Sequence, residues 1–289
     1  MQKIWLVTGA TAGLGRAIAE YALAKGDQVL ATARQPEKLS TLQAQYGSRI
    51  AIFALNVTDA SAADAAVERA IDAFGRLDVL VNNAGFAKIA PFEQTSSEDF
   101  QAQIDTNFIG VVNLTRAALP TMRQQRSGHI INISSGAGRI GAAGMTAYSA
   151  AKFAVGGFTE ALAREVSAFG VQVIAVEPGS MQTNWASFAT TDTADVSSDY
   201  ETTVGHNLAA ARQLAGNEIG DLQKYARVIF DLSRRDGLPN HLLLGSDALT
   251  VVRRGDNARD KAAAEWESVS RSTDRDGADL SFLSHVAID

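Results

Sequence analysis

The sequence predicts an α/β protein: a doubly wound parallel sheet, Rossmann-like in its βαβ alternation, in three α/β/α layers. Three observations carry this. Over roughly the first 180 residues, short runs rich in Val, Ile and Leu alternate with longer amphipathic patterns. The short runs are apolar at nearly every position, as in strands buried on both faces. Strand and helix follow one another strictly, which makes parallel pairing through right-handed crossovers the natural arrangement.

In order, Ile4 to Val7 reads as a strand and Leu14 to Lys25 as an amphipathic helix stopped by Gly26. Val29 to Ala33 is the next strand and Glu37 to Tyr46 the next helix. Arg49 to Leu55 follows as a strand, Ser61 to Phe74 as a helix, and Leu77 to Val81 as a strand. Thr95 and Glu98 have the spacing of a capping box, opening a long helix that runs toward Pro120. His129 to Ile133, a helix over Ala147 to Phe169, and Val171 to Val176 complete the series. After Pro178-Gly179 the pattern changes. Ser180 to Tyr200 reads as a loop or loose helix, and Thr203 to Leu214 and Asp221 to Arg234 as helices. Leu242 to Leu244 reads as a last strand, and Asp247 to Val269 as partly helical. With no repeat or linker, residues 1–289 read as one domain. Residues from about 180 to 240 supply lid helices, and the charged tail 271–289 reads as flexible.

Composition narrows the functional classes. Hydrophobic residues make up 46% and charged residues 20%, ordinary for a soluble globular chain with a sizeable core. The formal charge of -6, without a long basic run, argues against a nucleic-acid partner. Cysteine is absent, which excludes disulfides and thiolate catalysis. His129, His206, His241 and His285 lie far apart without ligand spacing, so no metal site is expected. No apolar run reaches the ~18 residues of a membrane span, and the opening apolar stretch is too short for a signal peptide. A cytoplasmic location is the expectation.

The chemistry starts at Thr8-Gly9-Ala10-Thr11-Ala12-Gly13-Leu14-Gly15, where the first strand turns into the first helix. Glycines there permit a tight turn and let a pyrophosphate approach backbone N–H groups at a helix N-terminus. A plain strand–helix turn would look the same. At the end of the second strand, Thr32-Ala33-Arg34 holds no acid to accept from a ribose 2′-OH. Arg34 could instead pair with a 2′-phosphate, favouring NADP(H) while leaving NAD(H) possible; a solvated strand-end arginine is the alternative.

Tyr148 and Lys152 are four residues apart, on one face of a helix. A free phenol titrates near 10, and a neighbouring ammonium would favour the phenolate. The competing reading is a surface Tyr–Lys pair. Ser135 ends the strand that precedes them and could polarise a carbonyl oxygen in the same crevice. Asn107 falls inside a helix, where a capping or core role is the alternative.

Together these residues resemble a short-chain dehydrogenase/reductase of the single-domain branch. The motifs are Thr8-Gly9-(three residues)-Gly13-Leu14-Gly15, Asn82-Asn83-Ala84-Gly85, Asn107, Ser135, Tyr148 with Lys152, and Pro178-Gly179 with Thr183. Three residues between the first glycines match this branch rather than the extended epimerases. The likeness covers residues 3 to about 184 and, more loosely, the strand near Leu242. It implies a Ser135–Tyr148–Lys152 triad completed by Asn107. Tyr148 is then the acid in reduction and the base in oxidation, and Ser135 orients the carbonyl. Lys152 binds the nicotinamide ribose and depresses the Tyr148 pKa, and Asn107 holds a water linking Lys152 to solvent. The cofactor would also meet Gly9, Thr11, Gly13, Leu14 and Gly15, then Arg34 and Val57. Asn83, Ala84 and Gly85 would line the adenine-ribose side of its cleft, Pro178 and Gly179 would border it, and Thr183 would meet the carboxamide. Asn56 departs from the acid often found at its position, implying weaker adenine anchoring. The family resemblance also implies a homodimer or homotetramer.

Ile140, Met145, Trp185 and Phe188 lie on segments expected to border the nicotinamide, so a hydrophobic carbonyl or alcohol substrate is expected. Trp185 and Phe188 could equally anchor a lid. Two other readings keep the fold: action on an enoyl or acyl-carrier substrate, which the lack of a basic patch disfavours, and a non-catalytic NADP(H)-sensing or scaffold protein. The latter would usually have lost Ser135, Tyr148 or Lys152.

Overall fold

A computed structural model of the chain describes residues 2–183, 189–191 and 195–281. Among these, seven strands form one sheet: β1 (Ile4–Thr8), β2 (Gln28–Ala33), β3 (Ile50–Ala54), β4 (Val79–Asn82), β5 (Gly128–Ile133), β6 (Val171–Pro178) and β7 (His241–Leu244). Their order is β3-β2-β1-β4-β5-β6-β7 and every pairing is parallel. Trp5 of β1 registers with Val29 on one side and Val79 on the other, so the chain reverses its direction of winding between β1 and β4. A crevice opens at the carboxyl ends of the strands at such a reversal.

The helices are α1 (Gly13–Ala24), α2 (Ser40–Tyr46), α3 (Ala60–Phe74), α4 (Ser97–Ile104), α5 (Gly110–Gln125), α6 (Thr146–Val166), α7 (His206–Leu214), α8 (Leu222–Leu232), α9 (Ser246–Glu265) and α10 (Glu267–Arg271). The period of two along β1 sorts them into layers. Trp5 and Val7 join a core with α1, α2 and α8, and Leu6 joins the opposite core with α3, α5 and α6. On α8 the buried residues Tyr225, Ala226, Ile229 and Leu232 follow helical spacing onto the sheet. Burial of Ile229 or Leu232 contributes about 1.5–3 kcal/mol each, and an aspartate at either would undo the packing.

Three local expectations are corrected. The helix cap is Ser96, whose hydroxyl accepts from Asp99 N at 3.0 Å, not Thr95 with Glu98. Thr95 instead donates its hydroxyl to Pro91 O and closes the preceding turn. The helix toward Pro120 is broken earlier by a π-helical turn over Asp105–Ile109, then continues past Pro120 to Gln125. Pro120 is exposed, as is Arg116, the residue whose carbonyl a proline N–H cannot serve. Finally, the helix beginning near Asp247 is regular, and packs only Ala248 and Val252 into the body of the protein.

Candidate functional site

The turn after β1 needs glycine at two points for backbone reasons and at a third for space. Gly9 and Gly13 are left-handed, at φ +65° and +55°. A Cβ on Gly15 would lie 2.4 Å from Asn83 Nδ2 and 2.5 Å from Gly9 O. Asn83 fastens this turn to the end of β4, donating from Nδ2 to Thr8 O at 2.9 Å. Thr8 Oγ1 accepts in return from Asn83 N and Ala84 N. The N-terminus of α1 is left open to a ligand. Its N-cap is Ala12, without a side-chain cap or an acid in the first turn, whereas Asp59, Ser96 and Asp221 cap α3, α4 and α8. Uncapped N–H groups at a helix start suit a pyrophosphate. The Leu14 side chain is buried in the core, so its backbone is what faces the turn, and Thr11 is half-buried beside it.

Around this turn, Arg34 follows β2 directly, exposed, and has no acidic partner among the described residues. Asn56 is exposed, its Oδ1 accepting from Thr58 N at 3.3 Å, while Val57 is buried. Thr183 places its methyl 3.3 Å from where a Gly13 Cβ would be. Gly179 donates to Leu244 O, and a Cβ there would lie 2.0 Å from Asp247 Oδ1, so only glycine fits after Pro178.

The four residues expected to act on substrate converge at the carboxyl ends of β4 and β5. Ser135 follows β5 in extended conformation and accepts from Ala137 N at 3.1 Å, opening a short 3-10 turn over Gly136–Gly138. Its hydroxyl is hydrogen-bonded to that of Tyr148. One helical turn further along α6, the Lys152 ammonium sits 5.6 Å from the centre of the Tyr148 ring and donates to Ile133 O at 2.7 Å. Asn107 occupies the π-helical turn, a distortion that recurs at functional sites. Its Nδ2 donates to Gln103 O and Phe86 O, both at 2.8 Å, which turns Oδ1 inward. That buried oxygen has no partner among the described residues. A Cβ on Gly85 would lie 2.5 Å from it and 3.6 Å from Lys152 Nζ, so only glycine allows the backbone to approach both side chains this closely.

Burial pushes the Tyr148 phenol up to about 12, with the Ser135 hydrogen bond acting in the opposite sense. Burial likewise draws Lys152 down to about 8. In the polypeptide alone, desolvation of the phenolate thus outweighs the hydrogen bond from Ser135.

On the side expected to face substrate, Met145 packs against a cluster of Ala87, Ile89, Tyr148, Ala189, Val204 and Leu208. Val204 and Leu208 were not singled out from sequence; their i, i+4 spacing was visible, but only the tertiary fold turns that stripe toward Tyr148. Ile140 lies against α9, where a Cβ on Gly255 would come within 2.4 Å of it. Trp185 and Phe188 lie outside the described residues. Also unforeseen is a buried polar ladder under the site: Asn82 Nδ2 donates to Asn132 Oδ1 and Thr115 Oγ1, and Asn132 Nδ2 to Thr159 Oγ1. Asn and Thr inside apolar strands were its only signal. No cluster of metal-binding side chains occurs among the described residues, and no helix among them is long and apolar enough to cross a membrane.

The comparisons with known proteins agree with this geometry. The family model described as short chain dehydrogenase matches residues 3–194. The oxidoreductase BOA17 of Botryotinia fuckeliana is 42% identical over 271 residues, covering 93% of this chain and 98% of its own. A crystal structure of a short-chain dehydrogenase from Streptomyces avermitilis superposes with a TM-score of 0.87 at 40% identity, covering 95% of this chain and 100% of that one. Serine dehydrogenase complexed with NADP+ in its closed form gives 0.72 at 31%, covering 83% and 94%. With two thirds of its length matched by the family model and its site residues gathered in one crevice, the chain belongs to the short-chain dehydrogenase/reductase family of oxidoreductases.

Proposed function

We propose that this protein transfers a hydride between NADP(H) and the carbonyl carbon of a hydrophobic ketone or aldehyde, or the matching secondary alcohol. The observation that carries the reading is the buried pair of Ser135 and Tyr148 hydroxyls, with the Lys152 ammonium one helical turn away. The nicotinamide ring supplies or accepts the hydride when the cofactor is bound. The uncapped start of α1 and the Gly9–Gly15 turn hold its pyrophosphate, and Lys152 its ribose.

The protein's own groups handle the proton. Ser135 and Tyr148 both donate to the carbonyl oxygen, which draws electron density from the carbon under attack. As the alkoxide develops, the Tyr148 proton passes to it. Burial raises the phenol above its ordinary value, so Tyr148 holds its proton at neutral pH. The phenolate left behind is stabilised by Lys152, and its proton is restored through that ammonium. The unpartnered Asn107 Oδ1 is the acceptor that would hold a water joining the ammonium to solvent. Val204, Leu208, Ile89 and Met145 make the substrate side apolar. Arg34, without an acidic partner, favours the 2′-phosphate of NADP(H); NAD(H) is the poorer cofactor.

The test follows nicotinamide absorbance with NADPH and NADH in parallel across ketones, aldehydes, quinones and steroids. Turnover with NADPH that falls about 1,000-fold in Tyr148→Phe is expected. Cofactor binding without turnover of any carbonyl would instead support an NADP(H)-sensing or scaffold role.

A further inference from the structure

Behind Ser135 lies a charged cluster that the hydride-transfer chemistry does not use. Glu177 of β6 is fully buried, next to Pro178. Its carboxylate faces two side chains: Oε2 is 3.4 Å from Arg139 Nη1, and Oε1 is 2.7 Å from His241 Nδ1 of β7. Arg139 ends the 3-10 turn that Ser135 begins, so only the three residues Gly136–Gly138 separate the two. The other arm of Arg139 reaches Asp256 of α9, with Nη2 to Oδ2 at 3.4 Å. From α9 as well, Arg259 Nη1 donates to the Arg139 carbonyl at 2.9 Å and is itself paired with Asp256. Glu160 of α6 faces the far nitrogen of His241 at 3.7 Å.

Packing reinforces this arrangement. Ile140 fills the space over Gly255, and Gly136 lies under Ala248 and Val252. The turn carrying Ser135 is therefore gripped from the sheet by Glu177 and from above by α9. A buried carboxylate requires paired cations, and a guanidinium can bridge two carboxylates in fixed geometry where an ammonium cannot.

We propose that Arg139 is a positioning residue: bridged between Glu177 and Asp256, it fixes the turn that carries Ser135, so that α9, which lies beyond the segment matched by the family model, sets the placement of the carbonyl-orienting hydroxyl. This rests on the hydride-transfer reading for its consequence, but not for its structural content. Arg139 touches neither substrate nor cofactor; it acts through the Ser135 turn. Loss of the bridge slows the chemical step while leaving cofactor affinity intact, since the glycine turn and α1 lie across the sheet.

The experiment compares wild type, Arg139→Gln, Arg139→Lys and Asp256→Asn in two measurements. Amide hydrogen exchange of residues 136–140, read without substrate, is expected to rise about ten-fold in Arg139→Gln, while β4 amides stay unchanged. With the best carbonyl substrate and NADPH, kcat is expected to fall about ten-fold, with the NADPH dissociation constant within about two-fold of wild type. Arg139→Lys should recover part of both effects. Asp256→Asn, at a half-exposed position, should move both in the same direction by about three-fold, and it carries the test should Arg139→Gln not fold. Unchanged exchange in residues 136–140, or a cofactor affinity that falls together with kcat, overturns the proposal. A wild type without turnover counts against the hydride-transfer reading alone, and exchange then decides whether the clamp exists.

Discussion

At the amino ends of the strands, Asp27 accepts from Lys3 N, Trp5 Nε1 and Arg234, and Asp78 accepts from Ile4 N while pairing with Arg76. Lys3 itself donates to Ser233 O, and His129 lies between it and Arg235 O. At the carboxyl ends, Asn107 Oδ1 and Ser149 Oγ are buried without a partner among the described residues, and a buried Lys152 donates to one carbonyl. One edge has satisfied its buried polar groups and tightened the fold around them. The other leaves two buried polar atoms without a partner among the described residues, at a cost in stability. Between these orphaned atoms the Ser135 and Tyr148 hydroxyls are hydrogen-bonded to each other, so the contrast between the edges rests on Asn107 and Ser149.

Substitutions that exchange the two behaviours should break the comparison. The largest effect is expected from Lys152→Met at the functional edge. Loss of the ammonium should lower kcat about 1,000-fold. Chemical denaturation without cofactor should show equal or higher stability, by about 1 kcal/mol, because a poorly paired buried charge has gone. The sign follows from linkage: a lysine drawn down to about 8 disfavours folding while charged, and that penalty fades as pH rises from 8 toward its ordinary 10.5. A clear loss of stability in Lys152→Met at pH 7 would contradict this account. At the opposite edge, Asp27→Ala should cost about 3 kcal/mol, since Arg234 and Trp5 Nε1 lose a buried acceptor. Its kcat should stay within about two-fold of wild type, and a larger change would mean that the edges are coupled.

Smaller effects sharpen the contrast within the functional edge. Arg34→Ala should raise the KM for NADPH about ten-fold and leave that for NADH unchanged. Equal constants for the variant and wild type with NADPH would remove the case for 2′-phosphate recognition. The smallest effect concerns His241, whose hydrogen bond to Glu177 raises it above its usual 6.5. Its contribution is complete below pH 6.5 and is lost as pH climbs through the raised value. The difference in stability between wild type and His241→Gln should therefore shrink from pH 6 to pH 9, by about 1 kcal/mol or less given partial exposure of the ring. A difference that grows over this range would reverse the assignment.

Much of the fold was legible because its signals are local. Gly26, Gly75 and Gly170 mark stops, and the apolar runs from Ile4 to Val176 mark buried strands. What was misread lies where neighbours decide. Ser96 and Thr95 are chemically equivalent caps, and the choice between them depends on which one Pro91 engages. The π-helical turn that presents Asn107 has no sequence signature separable from ordinary helix, since its extra residue is stabilised by the Phe86 and Gln103 carbonyls. The contact of Ile140 with Gly255, 115 residues later, could not be read from the chain either, because it exists only once α9 packs over the turn after Ser135.

By itself the sequence determined the order of strands and helices, the glycine turn at the first crossover, and the spacing of Tyr148 and Lys152. Each follows from dihedral freedom, hydrophobic period or helical pitch within a few residues. The tertiary structure alone decided which polar groups would stay unpaired, how far burial moves Tyr148 and Lys152 from their ordinary values, and that a C-terminal helix grips the turn behind Ser135. Those outcomes depend on desolvation and on partners far apart in the chain, and both exist only once the sheet has brought its carboxyl ends together.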